Sequence, residues 1–105
     1  LLKRAMAIVE KNMDNIEFST DEFAREMNMS RSNLHLKLKA ITGESTIDFI
    51  RKIRFNEAAK LLKDGRYTVA EVSTMVGFNT PSYFATSFKK YFGCLPTEYI
   101  KKSKG

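Results

Sequence analysis

Two sets of side chains suited to contacting base edges recur about fifty residues apart: Arg31, Ser32, His35, Leu36 and Lys39, then Pro81, Ser82, Ala85, Thr86 and Lys89. Each set occupies positions 1, 2, 5, 6 and 9 after a hydroxyl residue able to cap a helix, Ser30 in one case and Thr80 in the other. On a helix that spacing lines one face. The chemistry on offer is hydrogen bonding and methyl packing in the major groove of a duplex. Arg31 can pair bidentately with guanine, His35 can donate to guanine or phosphate, and Leu36 or Ala85 can pack on a thymine methyl, while Ser32, Ser82 and Thr86 add hydroxyls. Lys39, Lys89, Lys90, Arg51 and Thr80 are candidates for phosphate contact, which positions a protein on DNA without reading sequence. For Arg31 the guanine pair and a plain phosphate contact weigh equally. For His35 the predicted face favours DNA contact over an idle surface position.

These positions need a scaffold that presents two short helices, and the flanking residues provide it. Phe23-Ala24, Met27-Asn28-Met29-Ser30, Leu34, Leu38-Lys39 and Gly43 are answered by Val72-Ser73, Val76-Gly77-Phe78, Thr80, Phe84, Phe88-Lys89 and Gly93, at an offset of 49 before the turn and 50 after it. Each copy reads as a helix-turn-helix, and two copies are too few for a solenoid. Capping residues and helical periodicity set out seven helices and no strand. The first covers about Leu2 to Asn12, with an apolar stripe of Leu2, Ala5, Met6, Ile8 and Val9. Ser19 with Glu22 predicts a capping box, and Phe18 with Phe23 a hydrophobic staple, for a second helix from Thr20 to Met27. Asn28 suits a left-handed turn, and Ser30 caps a third helix to about Ala40, with Met29 stapled against Leu34. Ser45 and Asp48 begin a fourth helix ending at Lys63, whose roughly 18 residues span about 27 Å. Thr68 with Glu71 forms another capping box for a fifth helix to Val76; Gly77 fills a positive-φ turn, and Thr80-Pro81 opens a sixth helix to Phe92. A short seventh helix runs from Thr97 to Lys101. The expected fold is all-α: a helix-turn-helix subdomain over residues 1–44, a linking helix over 45–63 and a second subdomain over 64–105, together one functional domain.

The 105 residues suit a domain with a modest core. Eighteen Lys and Arg against twelve Asp and Glu leave a net charge of +6, which favours a polyanionic partner. The bases cluster in and between the two motifs, whereas Asp21, Glu22, Asp48 and Glu71 fall in helix first turns, where carboxylates complement the dipole. With Cys94 the sole cysteine and His35 the sole histidine, neither an internal disulfide nor a zinc shell is expected, and a cytoplasmic setting fits. No apolar run approaches the roughly 20 residues of a membrane span, and the start does not resemble a signal peptide. No cofactor is expected. A nucleophile motif, a glycine-rich phosphate loop and a carboxylate cluster are all missing, which argues against an enzyme. Phe78, Phe84, Phe88, Tyr91, Phe92 and Tyr99 offer rings for stacking single strands, but Phe84, Phe88 and Phe92 recur every four residues and read as core. Met6, Met27 and Met75 also read as core, and Cys94 as semi-buried. The rival to sequence-specific DNA binding is a nonspecific nucleic-acid binder or a helical protein-interaction module.

The stretch VGFNTPSYFATSFKKYFGCLPTEYI resembles the AraC/XylS-family signature of Gly-Phe, Tyr-Phe, Phe-Lys-Lys, Phe-Gly, Pro and Tyr. MSRSNLHLKLKAITG and FIRKIRFNEAAKLL are similar to that family's first motif and linking helix, so the resemblance covers nearly the whole chain. It implies a transcription regulator, an activator by expectation, in which the third and sixth helices enter successive major-groove segments held by the fourth. Partners implied are double-stranded DNA and RNA polymerase, with no membrane contact by this domain. The isolated domain is expected to be monomeric and its parent dimeric on direct repeats. Family members often carry longer polar residues where this chain has Ser82, Ala85 and Thr86, so the third helix is expected to carry more sequence information than the sixth. LHLKLKAITGES and FIRKIRF further resemble the C-terminal output domains of hybrid two-component regulators of the Bacteroides group. That implies a nucleoid-associated cytoplasmic domain whose parent can be membrane-anchored. The start at Leu1-Leu2, without an initiator methionine, reads as an excised output domain.

Overall fold

Seven helices follow one another along residues 1–104, which the computed structural model describes: α1 (Leu2–Lys11), α2 (Thr20–Glu26), α3 (Arg31–Thr42), α4 (Thr46–Asp64), α5 (Val69–Met75), α6 (Pro81–Phe92) and α7 (Pro96–Lys104). Among the described residues there is no strand. The starts follow the caps. Ser30 Oγ accepts from Asn33 N at 3.1 Å, and Thr80 Oγ1 from Tyr83 N at 3.1 Å with Pro81 at the first helical position. Thr68 and Glu71 form the full reciprocal box, at 3.1 and 2.8 Å. At Ser19 the bond runs one way, its Oγ accepting from Glu22 N at 3.2 Å. Ser45 Oγ likewise accepts from Asp48 N, at 3.2 Å, to open α4.

Both helix-turn-helix turns are built alike. Asn28 takes φ 58° and Gly77 φ 82°, left-handed values that Asn tolerates and Gly adopts without strain. Closing each turn, Met29 N donates to Ala24 O and Phe78 N to Ser73 O, both at 2.9 Å. The leading helices repeat too: Arg4 Nη2 donates to Glu26 O at 3.1 Å, and fifty residues on, Arg54 Nη1 donates to Gly77 O at 3.4 Å.

The chain divides into two compact units, Leu1–Ile53 and the residues from Arg54 onward, and α4 supplies side chains to both. The first unit buries Ala5 and Val9 of α1, Phe23 and Ala24 of α2, Leu34 and Leu38 of α3, and Phe49 and Ile50 of α4, with Phe18 and Met27. Phe23 sits at its centre, 5.8 Å from Phe18 and stacked 6.1 Å from Phe49. The second unit is aromatic. Phe55 of α4 has Phe78, Phe88, Tyr91 and Phe92 around it at 4.9 to 6.3 Å, and Tyr99 of α7 lies 5.5 Å from both Phe88 and Phe92. Phe84 and Phe88 are wholly buried, as their four-residue spacing predicts, while Phe92 is half-buried.

Some expectations fail locally. Met6 is 40% exposed and Leu2 37%, because the apolar stripe of α1 is covered along Ala5 and Val9, and in part at Ile8. Met75 is half-buried, and Cys94, at 6% exposed, is deeper than expected. α3 continues to Thr42, where Thr42 Oγ1 donates to Leu38 O at 2.7 Å and Gly43 closes the helix at φ 78°. α7 continues past Lys101 to Lys104, since lysine is a good helix former and cations complement the C-terminal dipole.

Candidate nucleic-acid interface

The core fixes which side of α3 and of α6 faces out. Burial of Leu34 and Leu38 turns Arg31, Ser32, His35, Leu36 and Lys39 of α3 to solvent; all five are exposed. Burial of Phe84 and Phe88 does the same on α6 for Pro81, Ser82, Thr86, Lys89 and Lys90, with Ala85 half-buried. Arg51 is exposed on α4 within the first unit, and Thr80 at the head of α6 in the second.

The two helices share an electrostatic feature. α2, α4, α5 and α7 each carry an acid in the first turn, whereas α3 and α6, like α1, carry none. Neither first turn therefore supplies a carboxylate of its own to the N-terminal amides, which suits phosphate at α6, while at α3 the Asp21 carboxylate of α2 stands beside Arg31, the first helical residue. Both helices also carry lysine in the last turn: Lys39 in α3, Lys89 and Lys90 in α6.

Hydroxyl availability differs among the candidates. Thr86 Oγ1 donates to Ser82 O at 3.1 Å, so its proton faces its own helix and what it offers outward is a lone pair and a methyl group. Thr80 Oγ1 already accepts from Tyr83 N but keeps its own proton to donate. Two further features of the second unit lie near this surface: Tyr83 is exposed on α6 with its ring 5.6 Å from that of Phe78, and Arg54 is tied to the turn before α6 through Gly77 O. Burial pushes the Arg54 guanidinium below its ordinary pKa.

In the first unit the fold gathers Arg31 and His35 with Thr20 of α2, Leu34, Ser45, Thr46 and the exposed Ile47 around a shallow concavity of about 250 Å³. Thr20, Ser45 and Ile47 were not among the sequence-derived candidates. Nor was Asp21, whose Oδ1 lies 3.1 Å from Arg31 Nε. Asp21 reads in sequence as a first-turn acid, a role that it also fills, and nothing local reveals a partner ten residues on. Among the described residues no three His, Cys, Asp or Glu side chains group as a metal site, and no helix is long and apolar enough to cross a membrane.

Comparison with known proteins places this geometry. The helix-turn-helix domain family matches residues 23–102. Histidine kinase P4 of Formosa agariphila is 40% identical over 99 residues, covering 94% of this chain, and the HTH-type transcriptional regulator MtrA of Neisseria gonorrhoeae is 32% identical over 102 residues, covering 95%. The chain spans only 7% of the length of the first and 34% of the second. The C-terminal domain of AraT, a response regulator from Geobacillus stearothermophilus, superposes with a TM-score of 0.88 at 31% identity, over 96% of this chain and 84% of that one.

Proposed function

The chain belongs to the AraC-type helix-turn-helix family of DNA-binding transcription regulators, and on that premise we propose that it reads duplex sequence through α3 and α6, laid in successive major-groove segments. It binds double-stranded DNA and is not an enzyme. One observation carries the groove assignment. Both α3 and α6 are pinned by a fully buried pair, Leu34 with Leu38 and Phe84 with Phe88, and both turn positions 1, 2, 6 and 9 outward behind a hydroxyl-capped N-terminus, with position 5 exposed as His35 in α3 and half-buried as Ala85 in α6. In this reading Arg31, Ser32, His35, Leu36, Ser82, Ala85 and Thr86 meet base edges, while Lys39, Lys89, Lys90, Arg51 and Thr80 hold phosphates. The two units act as one functional domain, with more sequence information in α3.

The domain serves as the output module of a longer, dimeric hybrid two-component regulator that activates transcription with RNA polymerase. Its 40% identity to a histidine kinase and its likeness to a response-regulator C-terminal domain support that parentage. It works at the nucleoid, in the cytoplasm, even where the parent is membrane-anchored. Selection of bound duplexes from a random pool at about 150 mM salt, where phosphate-only binding is suppressed, tests the reading. Two enriched base blocks roughly 34 Å apart are expected. A single block would confine readout to one helix, and no enrichment by a folded chain would refute sequence-specific binding.

A further inference from the structure

The side chain best placed to read guanine is already engaged by the protein. Arg31 Nε lies 3.1 Å from Asp21 Oδ1, across from α3 to the first turn of α2, and the two side chains are 67% and 61% exposed. The contact uses Nε and leaves the two Nη groups, the pair of donors that fits guanine O6 and N7. The other helix-turn-helix has no counterpart: at the matching positions stand Ala70 and Pro81, neither of which carries a charge.

We propose that Asp21 is a specificity-determining residue, acting by holding the Arg31 fork toward a base edge and turning it away from phosphate. This rests on the reading of α3 as a major-groove helix. Two physical effects act in the same direction. An arginine free to swing loses rotamer freedom when it docks, whereas one tethered at Nε has already lost part of it. A phosphate drawn to Arg31 also meets the Asp21 carboxylate beside it, so the pair presents little net charge to the DNA backbone. A guanine edge is neutral and meets no such repulsion. The ion pair itself is solvent-exposed and contributes little to folding, so its value lies in orientation.

Asp21→Asn, Arg31→Ala and the double variant, all in the full chain, test this on the duplex that the wild-type chain enriches from a random pool. Preference is measured by substituting each base pair in turn, and salt dependence by titration. Arg31→Ala should lower the preference for one G·C pair about 10- to 100-fold and leave the salt slope unchanged. Asp21→Asn should weaken the same preference several-fold and strengthen binding to unrelated duplexes. It should also steepen the slope by about 0.9, as the released arginine finds a phosphate. In the double variant the preference should equal that of Arg31→Ala, because Asp21 acts through Arg31; this comparison holds even if Asp21→Asn lowers the melting temperature. The proposal is overturned if Asp21→Asn keeps both preference and slope, or if Arg31→Ala shallows the slope by about 0.9 with every base preference intact, the signature of a phosphate contact. Enrichment of no duplex by the wild-type chain would remove the groove reading itself, and this proposal with it.

Discussion

Gly77→Val tests whether the second turn is built as described. Gly77 is buried, holds φ 82°, donates its N–H to Thr74 O at 3.1 Å and accepts from Arg54 Nη1 at 3.4 Å, so the backbone has no freedom to rotate into an ordinary region without losing both bonds. An L-residue in the left-handed region costs roughly 1–2 kcal/mol, and a β-branched one sits at the unfavourable end. Forcing an isopropyl group into a packed position adds about 1–3 kcal/mol. Taken together, about 3 kcal/mol is expected, which for a domain of this size lowers the melting temperature by roughly 10–25 °C. All four tyrosines, Tyr67, Tyr83, Tyr91 and Tyr99, lie in the second unit, so tyrosine fluorescence follows that unit alone during a melt. Gly93→Ala is the internal reference. Gly93 has φ 83° but is exposed, with nothing within 4 Å of an added Cβ, so it carries the backbone strain without the crowding and should fall less. A Gly77→Val chain melting within about 2 °C of wild type would refute the reasoning, because that is well under the shift expected from 1 kcal/mol.

Phe55→Ala removes the ring that four others surround, and should cost about 3–5 kcal/mol in denaturant unfolding followed by the same tyrosines. Thr68→Ala breaks the capping box of α5 and should cost about 1 kcal/mol by the same measurement, with DNA sequence preference unchanged. Lys89→Ala should weaken binding evenly across sequences and shallow the salt slope by about 0.9, as titration of a specific and an unrelated duplex will show.

Local chemistry made most of this fold readable. The starts of α2 to α6 follow hydroxyl caps and the turns follow Asn28 and Gly77, because capping and positive φ are decided within three or four residues. Helix ends were harder. α3 and α7 outlast their expected limits because Thr42 and the Lys101–Lys104 run are compatible with either state, and the choice falls to weaker terms. The exposed faces of α3 and α6 were legible from periodicity, yet the pairing of Asp21 with Arg31 was not, since it joins two helices whose meeting depends on the turn between them. Met6 shows the same limit from the apolar side: periodicity says which face is hydrophobic, not how much of it a neighbour covers.

The division at Ile53 and Arg54 falls inside α4, not in a loop. Phe49, Ile50 and the half-buried Ile53 serve one core and Phe55 the other, so a scissors cut at either end of this helix amputates a core. A fragment starting after Asp64 loses Phe55, and one ending before Thr46 loses Phe49. Exchanging one half for a homologue's by recombination therefore requires a crossover within unbroken helix, between Ile53 and Phe55. On the proposed reading, new operators are more accessible through point changes on the exposed positions of α3 and α6. The shared helix makes the two units inherited together, while their exposed faces remain free to change separately.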